Sequence, residues 1–216
     1  MTYTGHVSPG GPPATRTLES LTITKLSVGP GDNNAYLLRC AGTGEQVLID
    51  AADEADRLLA LVGTGGLAAV VTTHRHGDHW QALTPVLAAT GARSLAGEHD
   101  AAELPARSEG LADGATVPVG ECALEVIHLV GHTPGAIALL YRDPAGHPHL
   151  FTGDSLFPGG PGKTWRRADF LSLMHDLRTK VFDRLPDDTW VYPGHGDDTT
   201  LGAERGHLDE WQARGW

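Results

Sequence analysis

Three histidines and one aspartate lie within six consecutive residues of this chain: His74, His76, Asp78 and His79. The run follows directly on an apolar segment, residues 67–71, which is typical of a buried strand. Because side chains two positions apart cannot share one face of a helix, His74 and His76 predict a loop that leaves this strand. Imidazole and carboxylate groups at such density indicate metal chemistry. The alternative is a chance concentration in a chain with 12 histidines.

Three later segments each contain one more potential metal ligand at a predicted strand end or turn. Residues 131–135 read Gly-His-Thr-Pro-Gly and contain His132. Asp154 follows Thr-Gly, and His195 follows Pro-Gly. Because each of these residues falls at the end of an apolar segment, they argue against a chance concentration of ligands.

In this order, the motifs His-x-His-x-Asp-His, Gly-His-Thr-x-Gly, Thr-Gly-Asp and Pro-Gly-His resemble those of the metallo-β-lactamase superfamily. The resemblance extends from Asn34 to His195. It is nearest to the glyoxalase II-like branch, because residues 153–157 read Gly-Asp-Ser-Leu-Phe. The resemblance implies a single α/β domain, an αββα sandwich with the metal site along one edge of the packed sheets.

The resemblance also implies a site for two divalent metal ions. It assigns His74, His76 and His132 to the first metal, Asp78, His79 and His195 to the second, and Asp154 to a bridging position. Nitrogen and oxygen donors without thiolate suit zinc, which we expect, or iron or manganese. A hydroxide shared by two such ions exists at neutral pH, because coordination lowers the pKa of water from 15.7 to about 7.

Two aspartates have further predicted roles. We expect Asp78 to accept a hydrogen bond from the hydroxide and orient it, which makes it a catalytic residue as well as a ligand. Asp50 ends a predicted strand beside the metal loop, and we expect its carboxylate to fix an imidazole tautomer or a loop backbone from behind the ligands. The alternative for Asp50 is an ordinary turn aspartate.

A basic and aromatic cluster follows Asp154 and is the predicted substrate contact: Lys163, Trp165 and Arg166. Gly162-Lys163 matches the pair that helps bind the glutathione carboxylate in glyoxalase II, so the resemblance implies an anionic thiol conjugate as substrate. Two departures point away from glutathione itself. Trp165 replaces the family's glutathione-binding tyrosine, and we expect this to be a short form without the C-terminal helical domain.

The leading hypothesis is hydrolysis of S-acyl thiol thioesters, as by hydroxyacylglutathione hydrolase, through attack of the metal-bridging hydroxide. Lactones are the alternative substrate for the same site. A different class, a persulfide dioxygenase with one iron held by His74, His132 and Asp154, has a similar fold. A metal-binding protein without catalysis is the last alternative.

The elements that position these residues form two similar halves. Strands are predicted at residues 21–28, 35–39, 46–50 and 67–72, with helices at 53–61 and 80–90. In the second half, strands are predicted at 115–119, 123–129, 136–141, 149–151 and 189–192, with helices at 169–185 and 203–213. Ligands at strand ends of both halves agree with a layered sandwich.

Charge and terminal composition exclude some partners. Acidic residues outnumber basic ones by 27 to 16, a net charge of −11, which is the wrong sign for a nucleic-acid backbone. No apolar run approaches the roughly 20 residues that span a bilayer. Residues 1–19 predict a flexible leader before a domain at 20–216, and without a signal peptide we expect a cytoplasmic protein. Cys40 and Cys122 are predicted to be buried free thiols.

Overall fold

Two β-sheets stack face to face, and helices cover the outer face of each sheet in the computed structural model, which describes residues 3–215. This is the αββα sandwich predicted from the sequence, and the prediction is confirmed.

The first sheet contains seven strands in the order in which they occur along the chain. The first four pair antiparallel, and the pairs from the fourth to the seventh are parallel. Their bounds are β1 Ala14–Thr17, β2 Leu21–Val28, β3 Asn33–Cys40, β4 Gln46–Ile49, β5 Ala69–Thr72, β6 Arg93–Gly97 and β7 Glu109–Leu111.

The second sheet contains six strands in the order β15-β14-β11-β10-β9-β8, and a separate small hairpin joins β12 to β13. The pair of β11 with β14 is parallel, and the other pairs are antiparallel. The bounds are β8 Thr116–Val119, β9 Cys122–His128, β10 Ile137–Arg142, β11 Pro148–Gly153, β12 Leu156–Phe157, β13 Gly160–Pro161, β14 Trp190–Pro193 and β15 Thr199–Thr200.

Helices α1 (Ala55–Val62) and α2 (Leu83–Thr90) pack on the first sheet. Helix α3 (Arg167–Asp176), its π-helical continuation Leu177–Phe182, α4 (Leu201–Arg205) and α5 (Leu208–Arg214) pack on the second. Short 3-10 turns lie at Gly63–Gly65, Gly77–His79 and Ala101–Glu103. Among the helices of residues 3–215, none combines the length and the apolar character needed to cross a membrane.

Alternation along the strands divides the apolar side chains between three layers. On β3, Tyr36 and Leu38 face the second sheet, whereas Ala35 and Leu37 face α1 and α2. The inter-sheet layer includes Phe151 stacked on Tyr192, with ring centroids 4.6 Å apart. Both predicted thiols, Cys40 and Cys122, are free and buried, as expected.

The segment predicted to be a flexible leader, residues 1–19, includes a strand. β1 pairs with β2 along its whole length, from Ala14 opposite Lys25 to Thr17 opposite Thr22. The sequence signal was weak because β1 is an edge strand whose side chains are at most half-buried. Met1 and Thr2 lie outside the described residues, and the domain boundary at residue 20 stays a prediction. The strand β6 was not predicted either, because Arg93 and Ser94 interrupt its apolar pattern.

Candidate metal centre

Four loops from both sheets bring the predicted ligands to one edge of the sandwich. The loop after β5 contains the run from His74 to His79, the turn between β9 and β10 contains His132, and Asp154 and His195 follow β11 and β14. Since β11 and β14 are parallel neighbours, their carboxyl ends meet at the same edge. The first sheet contributes its ligands from the end of β5, across the inter-sheet layer.

The seven predicted ligand residues converge into three overlapping groups. Within each group, the candidate ligand atoms lie within 4.8 Å of one another. The groups are His74 with His76 and His132; His74 with His79 and Asp154; and Asp78 with His79 and His195.

Hydrogen bonds from behind set the tautomers of three histidines. The Nδ1 of His132 lies 2.7 Å from the Lys163 carbonyl oxygen, and that of His195 lies 2.8 Å from the Gly31 carbonyl oxygen. The Nδ1 of His79 lies 2.8 Å from Asp50 Oδ2. Because these oxygens only accept, each Nδ1 donates, and each Nε2 faces the centre, where it offers a lone pair whenever the imidazole is neutral. This is the arrangement usual for metal-binding imidazoles.

Two buried polar atoms at the centre have no hydrogen bond of good geometry among residues 3–215: His74 Nε2, and Asp154 Oδ1, which has only an ion-pair contact with His79 Nε2 at 3.3 Å. Burying such atoms unpaired costs free energy, so each one calls for an explanation. A bound cation would accept the imidazole lone pair and pair with the carboxylate. The donor chemistry of the cluster therefore fits a metal ion.

The charge states of the ligands differ across the cluster. Burial lowers the pKa of His74, His76 and His132, so these imidazoles are neutral. Burial also opposes protonation of His79 and His195. The carboxylates around them, chiefly Asp50 and Asp154 for His79 and Asp154 and Asp78 for His195, nevertheless raise the pKa of each to about 10.

The two carboxylate ligands are ionised. Burial raises the pKa of Asp154, but the nearby imidazoles of His195 and His79 outweigh this effect, and the net pKa lies well below the usual value. The pKa of Asp78 is lowered chiefly by its hydrogen bond with His195. In the metal-free chain, the protons on His79 and His195 therefore offset part of the negative charge of Asp78 and Asp154. A bound divalent cation would neutralise this charge instead.

Asp50 lies behind the metal loop and is buried. Its Oδ1 accepts from the backbone N–H of Thr73 at 2.7 Å, and its Oδ2 accepts from the Thr73 hydroxyl at 2.8 Å and from His79. Asp50 has a positive φ of 57°, a conformation that aspartate tolerates better than most residues. One carboxylate thus orients both an imidazole and the start of the loop.

A second buried carboxylate, Asp100, was not identified from the sequence. Its Oδ2 accepts from the backbone N–H of Arg75 at 3.1 Å and from the Thr133 hydroxyl at 2.5 Å, and its Oδ1 accepts from the backbone N–H of Gly135 at 3.0 Å. Asp100 therefore connects the loop of His74 and His76 to the turn of His132. No motif spacing marks Asp100 in the sequence.

Asn33 is another contact that sequence reasoning missed. Its side-chain amide donates to Asp78 Oδ2 at 2.9 Å, and its backbone bridges to His195. Asp78 Oδ2 also lies 3.3 Å from His195 Nε2. Asn33 therefore orients the half-exposed carboxylate that the sequence analysis selected as catalytic. The Asn33-Asn34 pair at the start of β3 was its only sequence signal.

A cavity of about 440 Å³ opens beside the first group of ligands. His76, His132, Trp165 and Arg166 are among its lining residues. The Trp165 side chain is 60% exposed, and its ring centroid lies 5.3 Å from that of His76. The Lys163 ammonium lies 6.0 Å from the Trp165 ring, while its backbone carbonyl orients His132. The three predicted substrate contacts are thus together at the mouth of the metal centre.

Comparison with protein families gives one match over most of the chain. The family model described as the metallo-beta-lactamase superfamily matches residues 28–195, a range that contains all seven predicted ligands.

The chain is also similar to curated relatives and to solved structures. It is 36% identical over 166 residues to a hydroxyacylglutathione hydrolase from Polaromonas sp. (strain JS666), covering 76% of this chain and 62% of the relative, so it spans less than two thirds of that protein. The crystal structure of ETHE1 from Myxococcus xanthus superposes with a TM-score of 0.76 at 29% identity, covering 86% of this chain and 82% of the other. The crystal structure of TTHA1623 in a di-iron-bound form superposes with a TM-score of 0.66 at 33% identity, covering 84% and 96%.

Proposed function

Because the chain belongs to the metallo-β-lactamase superfamily, we propose that it is a metal-dependent hydrolase of S-acyl thiol thioesters. The convergence of all seven candidate ligands into three overlapping groups supports this proposal most directly. The similarity to hydroxyacylglutathione hydrolase, at 36% identity, supports the thioester as the substrate class.

Two divalent cations are proposed as the cofactor, held as in the sequence prediction. His74, His76 and His132 would bind the first, Asp78, His79 and His195 the second, and Asp154 both. Zinc is the proposed metal, with iron or manganese as alternatives, because the donors are nitrogen and oxygen without thiolate. The similar TTHA1623 structure, in a di-iron-bound form, supports a two-metal site.

Bound cations of this kind supply a water nucleophile that ionises near neutral pH and stabilise negative charge on a carbonyl oxygen. The chain's own contribution is orientation. Asp78 is ionised and half-exposed, so it can accept a hydrogen bond from the attacking water and direct its lone pair. Asn33 donates to Asp78 Oδ2 and so leaves Oδ1 for that water.

The cavity beside His76 and His132 is proposed to bind the thiol part of the substrate. The exposed Trp165 ring offers an apolar face, and the Arg166 and Lys163 cations can pair with carboxylates of an anionic conjugate. The basic groups lie in a chain of net charge −11, which favours a local role over a general attraction to anions.

Metal analysis followed by turnover of a substrate panel tests the proposal. Protein purified without chelators should contain about two equivalents of metal per chain and hydrolyse S-acyl glutathione or a related anionic thioester faster than a lactone. Asp78→Asn should lower kcat by about 100-fold or more, whereas Asp188→Asn, which removes an exposed carboxylate elsewhere, should leave kcat unchanged. Lactone turnover without thioester turnover would overturn the thioester assignment. Full turnover by Asp78→Asn would show that the measured turnover does not depend on this centre, and would favour a metal site without a catalytic role.

The alternative from the sequence, a persulfide dioxygenase with one iron, predicts a different result. It would need only His74, His132 and Asp154, yet Asp78, His79 and His195 also converge within 4.8 Å of one another. About one equivalent of iron with oxygen uptake on a glutathione persulfide would replace the hydrolase proposal. The cytoplasmic location stays a prediction, which cell fractionation would test.

A further inference from the structure

A lysine side chain of the first sheet is completely buried. It lies on the face that packs against the second sheet, where the neighbouring side chains are apolar. Along β2, Leu21 and Ile23 point into the layer between the sheets, and Lys25 continues the same alternation. Its exposed fraction is 0%. A buried ammonium is expensive unless it is paired and fully hydrogen-bonded, so this position has to be explained by its partners.

The Lys25 ammonium has three donors, and all three are used. It donates to Asp198 Oδ1 at 2.6 Å, to the Gly5 carbonyl oxygen at 2.7 Å and to the Gly196 carbonyl oxygen at 2.7 Å. The Asp198 side chain is likewise 0% exposed. Its Oδ2 accepts from the Tyr3 hydroxyl at 2.7 Å and from Trp190 Nε1 at 2.8 Å.

These contacts end on the loop that contains His195. Gly196 follows His195 directly, and its carbonyl oxygen also accepts from the Asn34 side chain at 2.9 Å. On the other side of His195, the Pro193 carbonyl oxygen accepts from Asn34 at 3.0 Å and from the Tyr36 hydroxyl at 2.6 Å. Inward side chains of β2 and β3 therefore fix the backbone on both sides of this one imidazole.

Residues 3–5 complete the arrangement from the N-terminal side. Tyr3 and Gly5 supply one donor and one acceptor, and Gly5 adopts a φ of 80° with its Cα packed against Asp198. A Cβ at Gly5 would lie 2.6 Å from the Asp198 Cβ, so the segment approaches as closely as a glycine allows.

We propose that Lys25 and Asp198 are positioning residues for His195, and that Tyr3 and Gly5 complete this anchor. The anchor acts through the backbone of residues 193–198 and contacts no candidate metal ligand directly through its charged groups. It rests on the proposed metal site, and it assigns a role in metal binding to Tyr3 and Gly5. Loss of the anchor should weaken binding of the metal that His195 would hold. It should leave unchanged the binding of the metal that His74, His76 and His132 would hold.

Two measurements on matched variants test the anchor. The variants are Lys25→Met/Asp198→Asn, which removes both buried charges together, and the milder Tyr3→Phe, which removes one hydrogen bond to Asp198. Asp197→Asn is the control, because Asp197 neighbours Asp198 but pairs with His6 on the surface. His195→Ala identifies which zinc equivalent depends on His195.

The first measurement is amide hydrogen exchange of the metal-free chain. Exchange over residues 194–198 should be about tenfold faster in Tyr3→Phe and faster still in the double variant. Residues 74–79 of these variants, and residues 194–198 of the Asp197→Asn control, should keep the wild-type rate. This readout does not depend on any metal. Unchanged exchange at residues 194–198 in Tyr3→Phe would overturn the anchor even if the double variant fails to fold.

The second measurement is zinc affinity by competition with a chromogenic chelator. The equivalent lost in His195→Ala should bind about 10- to 100-fold more weakly in the double variant and about threefold more weakly in Tyr3→Phe, while the other equivalent changes by less than about twofold. An equal loss of affinity at both zinc equivalents, or no loss at either, would overturn the positioning role. If His195→Ala itself changes neither equivalent, the proposed metal assignment fails, and this result is distinct from a failure of the anchor.

Discussion

At the scale of single residues, buried carboxylates behind the ligands determine how the centre is built. Asp50 orients His79, Asp100 joins the loop of His74 to the turn of His132, and Asp198 lies behind the loop of His195. Each is buried and accepts several hydrogen bonds, which is the usual way in which a protein fixes the direction of metal-binding side chains.

Asp50→Asn should weaken metal binding without unfolding the chain. An amide keeps the shape of the carboxylate but has one acceptor oxygen where Asp50 uses two, so either the Thr73 backbone or His79 loses its partner. We expect a loss of about 10- to 100-fold in zinc affinity. Chelator competition would measure it, with Asp188→Asn as the control, and wild-type affinity in Asp50→Asn would contradict the role.

Metal binding should release protons at neutral pH. His79 and His195 have pKa values raised to about 10 in the metal-free chain, so both are protonated at pH 7 and must lose their protons before Nε2 can bind a cation. Apparent affinity should therefore rise with pH up to about pH 10. His74, His76 and His132, whose pKa values are lowered, contribute no protons.

Calorimetry of zinc binding at pH 7 in buffers of different ionisation enthalpy would count the protons released. We expect up to two from the imidazoles, in addition to any from coordinated water, and about one fewer in His195→Ala. A binding enthalpy that does not vary with the buffer would contradict the protonated state of these two histidines.

At the scale of elements, the centre depends on loops that pass unusually close to one another. The backbone of Gly194, in the loop after β14, runs against Asp154 and His79. A Cβ built on Gly194 would lie 2.1 Å from Asp154 Oδ1 and 2.7 Å from His79 Cε1. The Pro-Gly-His motif therefore contains a glycine because no side chain fits at this position between the candidate ligands Asp154 and His79.

Gly194→Ala should displace Asp154 or His79 and weaken metal binding by about tenfold or more, since metal sites need their ligands in narrow geometry. Gly206→Ala is the matched control, because a Cβ there meets nothing within 4 Å and its φ of −66° suits any residue. Metal content after dialysis would compare the two variants. Equal retention of metal would show that the loops adjust to the extra methyl group.

At the scale of the whole molecule, the candidate ligands come from both sheets. His74, His76, Asp78 and His79 belong to the first, and His132, Asp154 and His195 to the second. A cation at the centre would therefore connect the two sheets, in addition to the apolar inter-sheet layer and to hydrogen bonds such as those of Lys25 and Asn34. Binding to the folded chain alone must then stabilise it.

Removal of metal should lower the stability of the whole domain. With free metal at 100 times the dissociation constant, the free energy of unfolding should exceed that of the metal-free chain by about 2.7 kcal/mol. Denaturant unfolding with and without a chelator would measure the difference, which should shrink in His195→Ala. Coincident unfolding curves for the wild type would contradict a metal that connects the sheets.

Local pattern was enough to predict most of the elements. The strand at 21–28 was predicted with its observed bounds, and the others of the meander within about two residues, because alternating apolar residues end at glycine-rich turns. Several features lay outside such patterns, the strand β6 among them. The predicted final helix at 203–213 is two helices, α4 and α5, joined at Gly206, and the edge strand β1 has too little burial to leave a signal.

The sequence by itself determined the types of the candidate ligands, their order and the fold, because these depend on local periodicity and on motifs of a few residues. Only the tertiary structure decided which buried side chains hydrogen-bond to the candidate ligands and to the loops that contain them. These hydrogen bonds join residues up to 173 positions apart, and they involve Asp100, Asn33 and the Lys25–Asp198 pair. A buried hydrogen bond between distant segments produces no recognisable spacing in the sequence. Lys25 in particular interrupts an apolar strand for a reason that is visible only when the loop of His195 lies against it.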